Sequence, residues 1–125
     1  MESSNNKWKK YIISKQNMDS FIHIVNSLSD KGQTLLYLAA RKGNLKIMKI
    51  LLNAGADINM QNSDGSVPIL GLVWGGHKKE NGLNKNDTID LYNWMICQGA
   101  DNNLLNNKSE TAAFLISKSD FFSNI

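Results

Sequence analysis

The sequence predicts an all-α solenoid in which antiparallel helix pairs are joined by β-hairpin-like turns. Three observations carry that prediction. A turn signal recurs at a fixed period: Gly65 lies 33 residues after Gly32, and Ser66-Val67-Pro68-Ile69-Leu70 replays the helix start that follows the first glycine. Apolar residues fall at helical spacing, as in Leu45, Ile47, Met48, Ile50, Leu51 and Leu52 with Lys46 and Lys49 turned outward. A single proline and 8% aromatic residues suit helices better than a sandwich of many turns. At 125 residues, one domain spanning 1–125 with one continuous core is expected.

Each element can be justified in order. Residues 1–29 read as an N-terminal helical cap, a helix pair at Lys7–Ser14 and Asp19–Leu28 whose Phe21, Ile22, Val25 and Leu28 cover the end of the next unit. Residues 30–62 form a complete repeat. There Thr34 caps the first helix through its hydroxyl, Ala39 and Ala40 let two helices approach, and Gly43 turns the chain. Gly55 stands where a second helix ends in positive φ, and Asp57 and Asn59 suit the hairpin leading onward.

Residues 63–106 read as a second repeat with an insertion. Gly99-Ala100-Asp101-Asn102-Asn103 follows Gly55-Ala56-Asp57-Ile58-Asn59 by 44 residues, 11 more than the 33-residue period. The excess is expected as a polar inserted loop at 77–87, with Asp87 or Thr88 capping the helix after it. Beyond it Ile89, Leu91, Tyr92, Trp94, Met95 and Ile96 restore the apolar pattern, with Asp90 and Asn93 outward. Residues 107–125 read as a C-terminal partial repeat or cap. It opens at Ser109-Glu110-Thr111-Ala112-Ala113-Phe114-Leu115, with Ser109 in place of glycine and Ala112 in place of proline, and ends in a Phe121-Phe122 tail.

The stretch Asp30-Lys31-Gly32-Gln33-Thr34-Leu35-Leu36-Tyr37-Leu38-Ala39-Ala40-Arg41-Lys42-Gly43-Asn44, continued to Asn59, resembles the ankyrin repeat. It has the turn, the Thr-led helix start, the Ala-Ala pair, the mid-repeat glycine and the Gly-Ala-Asp ending. The resemblance implies a non-catalytic protein–protein interaction module that holds another protein with its hairpin tips and the concave ends of its first helices. Carried over by position, the tips are Lys31 and Gln33, then Ser63, Asp64 and Ser66, then Asn107, Lys108 and Glu110. The helix ends are Arg41 and Lys42, then Trp74 and Gly75. Trp74 stands in the place of Arg41, a solvent-facing position where a large aromatic is a natural interface anchor. The alternative is that the inserted loop covers it. That loop offers Lys78, Lys79, Glu80, Asn84 and Lys85 as contact residues.

Little in the sequence points to other chemistry. No catalytic arrangement stands out, and His23, His77 and the single Cys97 do not form metal-ligand spacing. Gly75-Gly76 lacks the Lys-Ser/Thr ending of a phosphate-binding loop, so no cofactor is expected. Cys97 reads as a small packing residue. The polar start of the chain, without the apolar core of a signal peptide, and the lack of an 18-residue apolar run predict a cytoplasmic protein with no membrane span; delivery into a host is the alternative. Net charge is +3, and Lys7, Lys9, Lys10 and Lys15 hold part of the excess. Two further readings stand behind the interaction module. One is a bacterial immunity protein that blocks a toxin, a role in which small proteins of the resembled family occur. The other, ranked last, is a binder of nucleic acid or an anionic surface through the Lys-rich N-terminal helix.

Overall fold

The computed structural model describes the backbone of residues 15–118 and the side chains of residues 19–118. The expected Lys7–Ser14 helix, the lysines at 7, 9 and 10 and the Phe121-Phe122 tail lie outside the described residues. Six helices follow in order: α1 (Lys15–Val25), α2 (Leu35–Arg41), α3 (Leu45–Asn53), α4 (Pro68–His77), α5 (Lys85–Cys97) and α6 (Ala112–Lys118). The described residues contain no strand. This is the predicted all-α solenoid: α2 pairs with α3, α4 with α5, and the first helices α2, α4 and α6 lie side by side.

Short polar side chains decide where the helices begin. Thr34 Oγ1 accepts from Tyr37 N at 3.0 Å and Asn44 Oδ1 from Ile47 N at 3.0 Å, each satisfying an amide that the first turn leaves free. Helix α4 has no side-chain cap and instead starts on Pro68, whose missing N–H is an orphan there in any case. Four helices end in the same way. After α2, α3, α4 and α5 the next residues but one carry φ of +67°, +100°, +57° and +98°, and the amides beyond bond back to the last turn. Three of those residues are glycines, Gly43, Gly55 and Gly99; the fourth is Lys79.

The extra length of the second unit is shared between helices and connection. Helix α4 has ten residues against seven in α2, and α5 has thirteen against nine in α3. The connection between α4 and α5 runs from 78 to 84, against 42 to 44 in the first unit. The expected loop at 77–87 is therefore corrected at both ends. His77 closes α4, Lys85 and Asp87 lie inside α5, and the cap is Asn84, whose Oδ1 accepts from Asp87 N at 2.7 Å. Apolar α4 can gain a turn because it extends against α2, and Asn84 is the first strong cap upstream of Asp87.

Helix α4 is the centre of the core. Pro68, Ile69, Leu70, Leu72 and Val73 are all buried, as expected for a helix apolar on every side. It lies against α2 so closely that a Cβ on Gly71 would stand 2.8 Å from the Tyr37 ring, and one on Gly75 would collide with the Arg41 carbonyl. Leu36, Ala40 and Met48 from the first unit and Leu91 and Met95 from the second complete the packing. The second helices are less covered than their apolar patterns suggest. Ile47, Ile50 and Ile96 are exposed, and of the α3 stripe Met48 alone is fully buried. At the N-terminal end, α1 stops at Val25 and not at Leu28. Val25 is buried, whereas Phe21, Ile22 and Leu28 stay substantially exposed, so the cap covers less than expected. Cys97, expected to pack inside, is exposed on the last turn of α5.

Candidate functional site: the groove between fingers and inner helices

Three turns project as fingers, each built by one side chain near its start. Ser29 Oγ accepts from Lys31 N and Gln33 N. Asn62 Oδ1 accepts from Asp64 N and Ser66 N, and Asn106 Oδ1 from Lys108 N and Glu110 N, all four at 2.9 Å. Each side chain thus imitates a backbone turn and fixes its fingertip. The backbone closes every finger as well, by Ser29 N to Gln33 O, Asn62 N to Ser66 O and Asn106 N to Glu110 O. Successive fingers are stitched together by Ser63 N to Gly32 O at 2.9 Å and Asn107 N to Asp64 O at 2.8 Å.

Between these fingers and the inner helices runs a groove of about 220 Å³. Its helix wall is Tyr37, Arg41, Trp74 and Lys78; Asp64, Ser66, Asn106, Asn107, Lys108 and Glu110 form its finger wall. Trp74 is half-buried on this wall, edge-on to His77 at 5.7 Å between ring centroids, with Lys78 Nζ 5.5 Å from its own ring centre. Its other side opens on a smaller apolar hollow lined by Val73, His77, Leu115 and Lys118.

One ion pair ties the connection 78–84 to the first unit. Arg41 donates from Nε to Glu80 Oε1 at 2.7 Å and from its second amino group to Glu80 Oε2 at 3.1 Å, while Nη1 donates to the Tyr37 hydroxyl at 3.1 Å. The two-pronged geometry holds the Glu80 carboxyl below its ordinary pKa, chiefly through these hydrogen bonds, with the charge of Arg41 and then Lys42 and Lys78 adding to it. Arg41 is moved upward in turn, first by Glu80, with burial opposing.

Most of the residues expected at the site meet here. Arg41, Asp64, Ser66, Trp74, Lys78, Lys108 and Glu110 line the one groove. Lys31, Lys42, Ser63 and Lys79 are exposed but do not line it. Three expectations need correction. Ser66 is buried, within 3.4 Å of Asn106 Nδ2, so it shapes the groove floor without offering a free tip. Gln33 is drawn into the finger stack, where Oε1 accepts from Asn62 Nδ2 at 2.8 Å. Gly75 is a buried contact with α2, not a helix-end surface. Trp74 is neither fully open nor fully covered: of the connection, Lys78 reaches over its ring beside His77, while Glu80 folds against Arg41 and Leu83 against Gly43. Tyr37 was missed, because its apolar neighbours read as core; the signal was its hydroxyl, which needs a partner when the ring is buried.

Helix pairs stacked side by side and crowned by hydrogen-bonded fingers define a helical-repeat binding scaffold. Ankyrin repeats are recognised within the chain: a family model described as ankyrin repeats in many copies matches residues 24–69. Among its relatives, the Notch-regulated ankyrin repeat-containing protein of Xenopus tropicalis is 40% identical over 63 residues, covering 50% of this chain and 55% of that protein. Ankyrin repeat domain-containing protein 29 of Homo sapiens is 35% identical over 69 residues, 54% of this chain and 19% of the relative. Regulatory protein SWI6 of Kluyveromyces lactis is 43% identical over 47 residues, 38% of this chain and 6% of that protein. The chain spans about half the length of the Notch-regulated relatives it matches.

Proposed function

We propose that this protein is a non-catalytic interaction module that holds a partner protein in the groove between its fingers and inner helices. One observation carries the reading: side chains from three successive units, Arg41, Asp64, Trp74, Lys78, Lys108 and Glu110, converge on a single groove. Ankyrin repeats in general are protein–protein interaction modules, and the relatives' names include a regulatory protein. The groove is preorganised, since each fingertip is held by side-chain and backbone hydrogen bonds before any partner arrives. Little conformational entropy is then lost on docking. Trp74 supplies the anchor, with Lys108 and Asp64 on the finger wall of the same groove, and Lys31, Gln33, Lys42, Ser63, Ser66 and Lys79 are the further partner-contact residues of this reading. In this reading residues 1–29 are an N-terminal cap, 30–62 and 63–106 are repeats, and 107–125 are a C-terminal partial repeat or cap. A cytoplasmic location fits an exposed free thiol at Cys97. Among the described residues no helix is long and apolar enough to cross a membrane.

The test is affinity capture from native lysate by wild type, Trp74→Ala and Lys108→Glu, each checked by circular dichroism. Partners retained by wild type and lost from both folded variants support the groove; identical partners on all three refute it.

A further inference from the structure

We infer that the end of this groove nearest the α4–α5 connection receives an acidic segment of the partner. The inference rests on the groove being the binding surface and adds the partner's chemistry. Three cations surround Glu80 at that end, Arg41 and Lys42 closing α2 and Lys78 following α4, and exposed Lys79 comes next in the chain. Glu80 is the anion held among them, and its carboxylate is consumed by the two hydrogen bonds from Arg41. Lys42, Lys78 and Lys79 are left exposed, with Lys78 lining the groove beside Trp74. Lys79 adds a second argument. It occupies the positive-φ position that is glycine after α2, α3 and α5, a conformation unfavourable for a residue with a Cβ. The left-handed turn here carries an exposed lysine, one position after Lys78, whose charge is open to an anionic group.

The opposite wall decides between two kinds of anion. Asp64 and Glu110 stand on the fingers across from Lys78. A nucleic acid carries a negative charge at every phosphate and would meet both carboxylates. A peptide can set Asp or Glu against Lys42, Lys78 and Lys79 and present neutral or basic residues to the fingers. An apolar side chain between these regions would lie against Trp74, which joins the charged end to the rest of the groove.

The experiment uses fluorescein-labelled peptides of Glu and Gly around a single Phe, the same peptide with Lys for Glu, and a single-stranded oligonucleotide, read by anisotropy. The acidic peptide is expected to bind wild type, to weaken as salt rises, and to bind Lys78→Glu/Lys79→Glu about tenfold less tightly, as expected for two exposed charge contacts. Equal binding of the two peptides, tighter binding of the oligonucleotide, no binding of the acidic peptide, or undiminished affinity of the double variant would overturn the inference. Capture of the native partner by the same double variant separates the two levels. A partner lost with Trp74→Ala but kept with Lys78→Glu/Lys79→Glu leaves the groove reading intact and removes this one.

Discussion

Asn59 grips the turn of the following unit from both sides: its Nδ2 donates to Gly99 O at 3.1 Å and its Oδ1 accepts from Asp101 N at 2.8 Å. Asn26 makes the same two bonds one unit earlier, to Gly55 O at 2.9 Å and Asp57 N at 2.7 Å. The side chain of one unit thus completes the backbone of the next, which couples neighbours in a solenoid as packing does. Asn59→Ala removes both bonds at a partly exposed site where water replaces part of the loss. A destabilisation of about 1–2 kcal/mol is expected, seen as a lower urea midpoint with an unchanged slope. Asn26→Ala is expected to behave similarly.

Gly75→Ala tests how closely α2 and α4 approach. On an exposed helix alanine would be the better residue by about 1 kcal/mol. At this position its Cβ meets the Arg41 backbone carbonyl, which cannot rotate aside as a side chain can. Overpacking costs of about 1–3 kcal/mol outweigh the propensity gain. The expected result is a lower melting temperature.

Two non-glycine residues sit at positive φ, Lys79 at 57° and Ser109 at 61°. Replacing either by glycine relieves about 1–2 kcal/mol of local strain and adds back about 0.4–1 kcal/mol of unfolded-state freedom. Each variant should be modestly more stable. Lys79→Gly should also bind the acidic peptide less well, trading function for stability, whereas Ser109→Gly should leave binding unchanged. The reverse change, Gly65→Ser, should destabilise. A Cβ there would be 2.8 Å from Asn107 Oδ1, because the next finger stacks on it, whereas Ser109 is exposed.

The Arg41–Glu80 pair gives a pH dependence with a definite sign. The folded pKa of Glu80 lies below its unfolded value, so the stability it adds is complete above the ordinary carboxylate value of about 4.3. It is lost as pH falls through the lowered value. Glu80→Gln should melt below wild type at neutral pH and converge with it in acid. A constant difference at every pH would mean that the carboxylate charge is not what holds the connection.

Much of this was legible because the repeat is written in short-range signals. Thr34, Gly43, Gly55 and Asp57 each act within a few residues, and each does in the fold what its type predicts. The division of the longer second unit was not legible. Landmarks at Gly55 and Gly99 give the excess length, but where it goes depends on how far α4 can run along α2, which is a tertiary fact. The cap of α5 was misread for a related reason: Asn84, Asp87 and Thr88 are all competent caps, and the helix took the earliest. At the site, position in the repeat identified Arg41, Trp74 and Lys108 and the expected loop supplied Lys78, while the burial of Ser66 and the recruitment of Gln33 arise from stacking between fingers.

The most direct test of the groove is photo-crosslinking from within it. A photoreactive amino acid is placed at Lys108 on the third finger or, as the comparison, at Lys46 on the outer helix α3, and the adducts formed in cells are compared. The groove reading predicts a covalent partner adduct from position 108 that is absent from position 46. An adduct from position 46 with none from position 108 would contradict it.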